Sequence, residues 1–548
     1  MKSFHEYLTD GSLPLLRFLA KERVKLGAKG ALKDKSSETE VELWNSDPML
    51  IKRLMPPRNR WVRLWQSTRC KKFLPEERNE LAIRKTVRSD IRKYRDNLSE
   101  APDYLVRLLD YMSALQDMAA GTVPISFSEN DLRIIPKFKE DSGDDAVYRP
   151  LSVYTCLTTK ILISAASEYL TRALDGLLHE EILSYRPARN YHGRWCVTTG
   201  ADAVKGAKEY LRAHFGQNIY VAECDVQKFY DIINHDVVLD CFDRMAEKAG
   251  IPDYWQVRAV LSAYMDSYGF VPNVLKLNDD ASYWDLSRKN HCGVVKGKFY
   301  FKWVREQDFM DVYTEEEYGA VRERLGVPQG GALSCVISNV VLNDVDMAVL
   351  SDDDPDRFFV RYGDDMLLMH TDKEKCIGLL ERYKDSLRKH RLVYHPFEDF
   401  AGLKDGERNT KAFWKGKSKP VFLWGHGEGA ASEWIGFVGY EIGRNGHTRL
   451  RLSTLDKKFG AINKKYHKCL ERSIQNPDSL FDSCRQTLEG ISSSMDNFTE
   501  LNMNTSLAFQ LRSLDRYRHK KIKKLDSHLE RKTRRKLGLT EYFEGKSE

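Results

Sequence analysis

The amino-terminal part of the chain has the hydrophobic spacing of α-helices. Tyr104, Leu105, Leu108 and Met112 recur at intervals that place them on one helical face. The pattern that precedes them is also mostly helical. Residues 1–125 are therefore expected to form an α-helical extension ahead of the rest of the fold.

The periodicity changes after this extension. Apolar residues at 132–135 and at 148–151 flank the turn-rich segment 141–145, and this arrangement predicts two short strands joined by a polar loop. Helical spacing returns over residues 158–178, where apolar side chains share one face. Residues 126–220 are expected to form one structural unit.

Strand character returns in the middle of the chain. Residues 219–224 have it, and residues 358–361 and 366–369 are interpreted as two short strands that flank a tight turn. These two strands are apolar enough to be buried, which places the acidic turn at 362–365 at the edge of a core. The aromatic-rich segment at about 266–320 is interpreted as an insertion without an assigned role.

Composition is that of a globular protein. The chain has 548 residues, of which 42% are hydrophobic and 30% charged. We expect no membrane span, which requires about 20 consecutive apolar residues. The amino terminus lacks the cationic start and apolar run of a leader, so the expected compartment is the cytoplasm. Ten cysteines without a Cys-x-x-Cys pair indicate neither a zinc ribbon nor a disulfide framework.

Positive charge is concentrated near the carboxyl end. The net charge of +7 is a small excess for this length, but residues 516–536 are dense in Arg and Lys, with Asp526 and Glu530 as the only acids. The chain has a helical pattern from residue 451 onward. A basic helical segment over 451–548 either forms a solvated face or contacts a polyanion, and charge alone leaves both interpretations open.

Three aspartates are candidates for a two-metal site. Asp364 and Asp365 are adjacent on the tight turn, and Asp225 follows the strand at 219–224. Nucleotidyl transfer requires two divalent ions roughly 4 Å apart, one to activate the attacking hydroxyl and one to neutralise the triphosphate. Such ions prefer carboxylate oxygens. An acidic turn alone is more often a solvated loop, and it is the buried flanking strands that favour a metal site.

The order of several motifs resembles that of reverse transcriptases related to bacterial group II intron and retron enzymes. The resemblance runs from about Leu132 to Ile442. The similar segments are Asp225-Val226-Gln227-Lys228-Phe229-Tyr230, Gly326-Val327-Pro328-Gln329-Gly330-Gly331 and Tyr362-Gly363-Asp364-Asp365 for the catalytic motifs, Trp434-Ile435-Gly436-Phe437-Val438-Gly439-Tyr440 for the primer grip, and Pro136-Lys137, Arg149-Pro150-Leu151 and Ser184-Tyr185-Arg186-Pro187 for the fingers.

This resemblance implies an α+β fold of the right-hand polymerase type. The fingers then correspond to residues 126–220 and the palm, with an antiparallel sheet and the insertion at about 266–320, to residues 221–450. Residues 451–548 form a basic helical thumb, and the helical extension at 1–125 precedes the whole. The implied partners are an RNA template, dNTPs and the DNA product.

The resemblance also assigns tasks to single residues. The implied metal-binding positions are Asp225, Val226, Asp364 and Asp365, of which the three aspartates are catalytic, with two Mg²⁺ ions that Mn²⁺ can replace. Tyr230 is the implied gate that excludes a ribose hydroxyl and favours deoxynucleotides. The implied nucleotide-binding residues are Lys137, Arg149, Tyr230, Gln329 and Lys411, although Lys411 lies further beyond Asp365 than is usual in the family.

Two further groups are expected to hold the nucleic acid. The primer-grip residues are Gly436, Phe437, Gly439 and Tyr440. Cations of the thumb are expected to contact phosphates, which gives salt-sensitive affinity without sequence preference. They are Arg516, Arg518, Lys520, Lys521, Lys523 and Lys524.

Several biological roles are compatible with these motifs. An RNA-dependent RNA polymerase also uses a Gly-Asp-Asp turn, but Tyr230 and the loop at 326–331 disfavour it. Two alternatives remain. One is a catalytically inactive RNA-binding scaffold, and the other is a retron-type or group II-intron-like enzyme with another role. The extension and residues 413–419 look like bacterial reverse transcriptases of the unknown groups, whose members act in antiphage defence, and this role is favoured. A dedicated non-coding RNA, a homo-oligomer and a partner protein are open options.

Overall fold

The computed structural model describes residues 1–11, 13–28, 48–64, 75–142, 144–189, 195–290, 297–397, 416–425, 430–475 and 505–536. The amino-terminal extension is helical. Ser3 and Glu6 form a capping box that begins the first helix, and Gly121, with a left-handed φ of 79°, ends the fifth. The helices are α1 Phe4–Thr9, α2 Pro14–Ala28, α3 Pro48–Leu54, α4 Pro75–Lys93 and α5 Asp103–Ala120.

Two long antiparallel strands form the predicted hairpin after the extension. They are β1 Leu132–Ser142 and β2 Asp145–Tyr154. The face predicted for the following helix is buried, including Ile161, Leu162 and Leu170. The elements that follow the hairpin are α6 Leu157–Ala173, β3 Pro187–Arg189, β4 Trp195–Val197 and α7 Gly200–Ala213.

The central part of the chain alternates helices with the strands of the palm. In chain order the elements are β5 Tyr220–Asp225, α8 Phe229–Ile232, α9 His235–Lys248, α10 Trp255–Asp266, α11 Phe270–Asn273, α12 Ala281–Asn290, β6 Phe299–Phe301, α13 Glu306–Phe309, α14 Glu315–Val321, α15 Ala332–Leu350, β7 Arg357–Tyr362, β8 Asp365–His370, α16 Lys373–Lys389, β9 Lys419–Trp424 and β10 Ala430–Ser432.

The palm sheet has five strands in the order β10-β9-β5-β8-β7. The pairs β9–β5, β5–β8 and β8–β7 are antiparallel, and α16 and α15 cover one face of the sheet. The interior residues of β8, Met366 to Met369, are fully buried, as the apolar pattern of this segment predicts. The α+β fold is thereby confirmed, and the palm sheet is antiparallel as predicted except at one edge, where β10 pairs parallel with β9.

A small sheet and two long helices complete the described chain. The strands β11 Trp434–Phe437, β12 Tyr440–Gly443 and β13 Thr448–Leu450 pair antiparallel in that order. The helices α17 Leu452–Gln475 and α18 Thr505–Lys536 pack against each other through Ile522, Leu525 and Cys469, and they form the helical thumb.

The segment at 266–320 differs from its interpretation as a palm insertion. Its strand β6 pairs parallel with β2 and so adds a third strand to the fingers hairpin. Phe270, Trp284 and Phe309 are among the largest fully buried side chains of the protein. The many aromatic residues of this segment have a structural role, because their side chains fill the core between the hairpin and the palm helices.

One helix in the described part of the chain, α15, is long and apolar enough to cross a membrane. About four fifths of its apolar window, 78%, is buried inside the protein. Its polar residues Asn339, Asn343 and Asp346 are buried as well, and Asn339 and Asp346 form hydrogen bonds with Ser184 and Arg361. The helix therefore has the packing of a core helix.

Candidate active site

Asp225 and Asp365 lie directly opposite each other in the palm sheet. Asp225 is the last residue of β5 and Asp365 the first of β8, and the antiparallel register pairs them. Cross-strand partners of this kind have Cβ atoms about 4.5–5.5 Å apart on the same face. Asp364 precedes Asp365 on the turn that links β7 to β8. The structure thus brings together the three aspartates that the sequence predicts as metal ligands.

A buried arginine fixes the turn that carries these carboxylates through a hydrogen bond to its backbone. Gly363 has a left-handed φ of 71°, which a residue with a Cβ adopts only at a cost. The carbonyl of Gly363 accepts a hydrogen bond of 2.8 Å from Nη1 of the fully buried Arg361. Arg361 in turn forms a bidentate ion pair with the buried Asp346, at 2.7 Å for both Nε–Oδ1 and Nη2–Oδ2. A buried ion pair therefore fixes the position of the acidic turn.

Crowding of the carboxylates disfavours their full ionisation. Burial, followed by the charge of Asp225, raises the pKa of Asp364 above its ordinary range. Desolvation by the surrounding protein, followed by the charges of Asp364 and Asp225, raises the pKa of Asp365. Because the Asp365 residue is exposed, solvent weakens the effect of desolvation, and repulsion by the neighbouring carboxylates contributes to the raised pKa. A cation between the carboxylates would relieve this repulsion.

The donor set fits divalent cations. Asp225, Asp364 and Asp365 supply hard oxygen ligands, which Mg²⁺ and Mn²⁺ prefer. Val226, the fourth predicted position, forms an antiparallel bridge with Tyr394, in which the amides of Gln227 and His395 donate the hydrogen bonds. Ions held here would activate an attacking hydroxyl and offset the charge of a triphosphate.

Lys417 is a member of this site that sequence reasoning missed. Its Nζ lies 2.6 Å from Asp225 Oδ2. Burial lowers the pKa of Lys417, but the charge of Asp225, the hydrogen bond to it and the charges of Asp365 and Asp364 together outweigh burial and raise the pKa above its ordinary value. The strand register explains the contact, because Glu223 pairs with Lys419 and Asp225 therefore faces Lys417. The pairing of β5 with β9 joins segments almost 200 residues apart, and no local pattern predicts it.

The predicted phosphate-binding cations face each other on the fingers hairpin. Lys137 and Arg149 are cross-strand partners, and both side chains are exposed. Like charges in such positions are destabilising unless an anion lies between them. Arg149 is close enough to Asp364 for its charge to lower the pKa of that carboxyl, against the larger effect of burial. The hairpin thus presents positive charge toward the acidic turn.

The segment first interpreted as an insertion adds a cation to this group. Phe301, the last residue of β6, is the register partner of Tyr148, so Lys302 lies beside Arg149. Sequence reasoning missed Lys302 because its proximity depends on a strand pairing across about 150 residues of chain. Lys139 belongs to the same group, and the charges of Arg149 and Lys302 oppose its protonation, although burial is the main reason that its pKa is lowered.

The segment that carries Tyr230 and the loop that carries Gln329 are joined at the junction of fingers and palm. The amide of Val327 donates a 2.8 Å hydrogen bond to the carbonyl of Tyr230, and the amide of Ser152 donates one of 2.8 Å to the carbonyl of Gln329. The loop at 326–331 thus ties the hairpin to the segment that carries Tyr230. Gly326 is needed at this crossing, because a Cβ there would lie 2.7 Å from the carbonyl oxygen of Asp231.

The side chains of Gln329 and Tyr230 are held in place by buried and half-buried neighbours. Gln329 donates a hydrogen bond to Oδ1 of Asp231, a buried carboxylate whose pKa burial raises to about 6. Tyr230 is half-buried between Phe229, whose ring centroid is 5.2 Å away, and the hydroxyl of Tyr185. Gln329 is therefore held in place by Asp231, which sequence reasoning did not single out.

The predicted primer-grip residues form a tight hairpin between β11 and β12. Phe437 pairs with Tyr440, and both are buried, as is Gly436. The turn residues Val438 and Gly439 have positive φ values of 41° and 87°, which a two-residue hairpin of this kind requires and which strain a β-branched valine. The turn residues Val438 and Gly439 are half-buried, whereas Phe437 and Tyr440 belong to the core.

The six predicted thumb cations divide into two groups. Arg516, Lys520, Lys523 and Lys524 are exposed on one face of α18. They border a cavity of about 740 Å³ that Tyr466 and Leu470 of α17 line on the other side. This face can contact phosphates.

The remaining two predicted cations are engaged within the thumb. Arg518 is buried and donates to Oδ1 of Asp515 at 2.5 Å. Lys521 Nζ donates to Asn463 Oδ1 at 2.6 Å and lies 4.6 Å from the ring centroid of Tyr466. Lys411, the last predicted nucleotide-binding residue, lies outside the described residues.

Comparison with known proteins identifies the domain. Residues 282–396 match the family model for reverse transcriptase (RNA-dependent DNA polymerase). The match includes the loop at 326–331 and the acidic turn, although not Asp225. No curated protein is similar enough in sequence to count as a relative.

Similar solved structures include two telomerases. Apo telomerase from Candida tropicalis, truncated from its C-terminal domain, has 13% identity and a TM-score of 0.34, with 68% of this chain and 70% of that one covered. Telomerase from Candida albicans in complex with a TWJ fragment of telomeric RNA has 13% identity and a TM-score of 0.32, with 87% and 76% covered. Scores this low carry no argument about function. The family match over residues 282–396, together with the palm geometry, identifies a reverse transcriptase domain within this chain and supports RNA-directed DNA polymerase activity.

Proposed function

We propose that this enzyme copies an RNA template into DNA with two divalent ions, Mg²⁺ or Mn²⁺, held by Asp225, Asp364 and Asp365. The observation that carries the proposal is the cross-strand pairing of Asp225 with Asp365, next to Asp364 on a braced turn. The pairing of Lys137 with Arg149 on the hairpin supports binding of a triphosphate, because two such cations would offset charge that develops in transfer. Tyr230 stands at the gate position and favours dNTPs over NTPs.

Nucleotide choice tests this proposal against RNA synthesis. Purified protein with Mg²⁺ is given a primed RNA template and either dNTPs or NTPs. We expect extension with dNTPs and at most traces with NTPs, because the Tyr230 ring fills the space that a ribose hydroxyl would need. Preference for NTPs would favour an RNA polymerase, and absence of extension with tight RNA binding would favour a scaffold.

We further propose that the enzyme acts in the cytoplasm of bacteria in defence against phages. What supports this role is the likeness of the helical extension and of residues 413–419 to bacterial reverse transcriptases of the unknown groups. The test is a phage challenge of cells that carry the wild type or Asp364→Asn with Asp365→Asn. Fewer plaques with the wild type alone are expected, and equal plaque counts would contradict the defensive role.

The template is proposed to be a cellular RNA, and a dedicated non-coding RNA is one candidate. Sequencing of the RNA and DNA that copurify with the wild type and with the same double variant identifies it. We expect one enriched RNA in both samples and complementary DNA in the wild type only. DNA of the same sequence in the double variant would contradict templated synthesis at this site.

A further inference from the structure

A second cluster of metal-ligating side chains lies on the helices of the palm. Cys241 on α9, Asp344 on α15 and His390 directly after α16 each offer one ligand atom, and these three atoms lie within 4.8 Å of one another. Cys241 is buried and has no disulfide partner, whereas Asp344 and His390 are half-buried. None of the three belongs to the polymerase site described above.

The histidine is oriented as a metal ligand. Nδ1 of His390 lies 2.8 Å from the carbonyl oxygen of Ser386, which can only accept a hydrogen bond, so the ring proton resides on Nδ1. Nε2 is therefore the nitrogen that faces Asp344, at 3.5 Å from its Oδ2. Burial lowers the pKa of His390, but hydrogen bonds to Asp344 and Cys241 outweigh burial and raise it to about 10, so a metal ion that binds here displaces the Nε2 proton. Histidines that bind metals usually donate their second ring N–H to a carbonyl or carboxylate in this manner. The same orientation argues against a Cys-His-Asp catalytic triad, in which the carboxylate would accept the Nδ1 proton.

The spacing of the three groups fits a tetrahedral zinc ion. Bonds of about 2.3 Å to sulfur and about 2.0–2.2 Å to nitrogen and oxygen place neighbouring ligand atoms roughly 3.3–3.6 Å apart. The observed separation of 3.5 Å between Asp344 and His390 falls in this range. The Sγ atom of Cys241 lies on a different helix but within 4.8 Å of the other two ligand atoms. A small movement of this side chain would therefore bring all three atoms to bonding distance of one ion.

An arginine now supplies the positive charge that a metal would supply. Arg244 Nη2 donates to Asp344 Oδ2 at 2.7 Å and to Cys241 Sγ at 3.3 Å. The Arg244 side chain is 56% exposed, so it can turn into solvent at little cost. Two of the three groups thus already converge on one cation.

We propose that Cys241, Asp344 and His390 bind Zn²⁺, with water as the fourth ligand. Binding breaks the S–H bond of Cys241 and the Nε2–H bond of His390, whose protons pass to solvent, and it forms Zn–S, Zn–N and Zn–O bonds without any change of oxidation state. The ion would join α9, α15 and the end of α16, and so stabilise the helices that cover the palm sheet. Because α15 also carries Asp346, the partner of Arg361, the zinc ion would stiffen the support of the acidic turn.

Cobalt substitution tests the site in the full chain. Co²⁺ bound by a thiolate gives a charge-transfer absorption band that the carboxylates of the polymerase site do not produce. We expect this band in the wild type and in the control Cys156→Ser, which removes a half-buried free thiol elsewhere in the fold. We expect no band in Cys241→Ser.

Zinc affinity, measured by competition with a chromophoric chelator, gives a second readout. We expect His390→Gln to weaken zinc binding at least as much as loss of an outer-shell contact does, about 10- to 100-fold. Arg244→Gln should instead tighten binding by up to about five-fold, because it removes an exposed ion pair that competes for Asp344. A wild type without the cobalt band, or one whose zinc affinity does not change in Cys241→Ser and His390→Gln, would overturn the proposal and leave an ion-pair network.

Discussion

The palm carboxylates and the thumb cations are both charged groups predicted to serve nucleic-acid chemistry, but the fold positions them by different means. Asp225 and Asp365 are placed by hydrogen-bonded strand register, which leaves them one arrangement. The cations of α18 are placed only by their angle around a helix. The strand register brings all three predicted aspartates together, whereas the helix turns some of the predicted cations away from solvent. Backbone pairing thus defines a site more strictly than charge density does.

The largest expected effect comes from the palm side of this comparison. Asp225→Asn keeps the shape of the side chain but removes a charge and a metal ligand. We expect DNA synthesis to fall by at least about 1000-fold, equivalent to about 4 kcal/mol of transition-state stabilisation. Single-nucleotide extension measures it. Asp236→Asn, on the exposed surface of α9, is the matched control and should retain activity. A residual rate near that of the wild type would mean that the register does not build the site.

The thumb side predicts a smaller effect that depends on salt. Replacement of Arg516, Lys520, Lys523 and Lys524 by Gln removes the exposed cations of α18. If each contacts one phosphate, the slope of log affinity against log salt falls by roughly 0.9 per cation, and the wild type loses about 100-fold more affinity than the variant between 50 and 200 mM salt.

A buried cation of the same helix is the control for this experiment. Arg518→Gln should leave the salt slope unchanged and lower thermal stability instead, since Arg518 pairs with Asp515 inside the thumb. Fluorescence anisotropy with a labelled RNA–DNA duplex measures the slopes. Equal slopes in the quadruple variant and the wild type would show that this face does not bind the duplex.

A second prediction for the palm concerns Tyr230 and the choice between dNTPs and NTPs. Tyr230→Ala removes the ring at the gate position, and we expect the preference for dNTPs over NTPs to fall about 10- to 100-fold, the usual worth of a steric contact. The ratio of kcat/KM values for dTTP and UTP measures it. Tyr230→Phe keeps the ring and should keep the preference. Discrimination that survives in Tyr230→Ala would place the gate elsewhere.

The smallest expected effect concerns Lys417. Its ammonium contacts Asp225 where a metal ion would also need that carboxylate, so the two compete. Lys417→Gln should lower the Mg²⁺ concentration for half-maximal activity by a few fold, the scale of a partly exposed ion pair worth at most about 1 kcal/mol. A higher Mg²⁺ requirement in the variant would show instead that Lys417 supports the bound nucleotide.

Sequence patterns predicted what local structure determines. The apolar frame of the acidic turn predicted β7 and β8, and the motif order predicted that Asp225 would meet them. The patterns could not predict contacts that depend on distant pairings. Lys417 reaches Asp225 through β9, and Lys302 reaches Arg149 through β6, each across more than 100 residues of chain.

Charged residues within apolar segments of the sequence could have indicated the buried ion pair. Arg361 interrupts an apolar strand and Asp346 an apolar helix, and a charge in such a position needs a buried partner. The pair they form explains how the turn is braced. Arg518 differs from its exposed neighbours in the same way, because it lies on the face of α18 that is buried in the thumb and so needs a partner.

The most direct test of the central claim is dTTP incorporation on a poly(rA) template with an oligo(dT) primer, for the wild type and for Asp364→Asn with Asp365→Asn. Mg²⁺ is added to both samples, and thermal melting verifies that both are folded. The paired carboxylates predict a long DNA product with the wild type and loss of at least about 1000-fold in the variant. Equal incorporation by the two proteins would contradict the claim that Asp225, Asp364 and Asp365 form the polymerase centre.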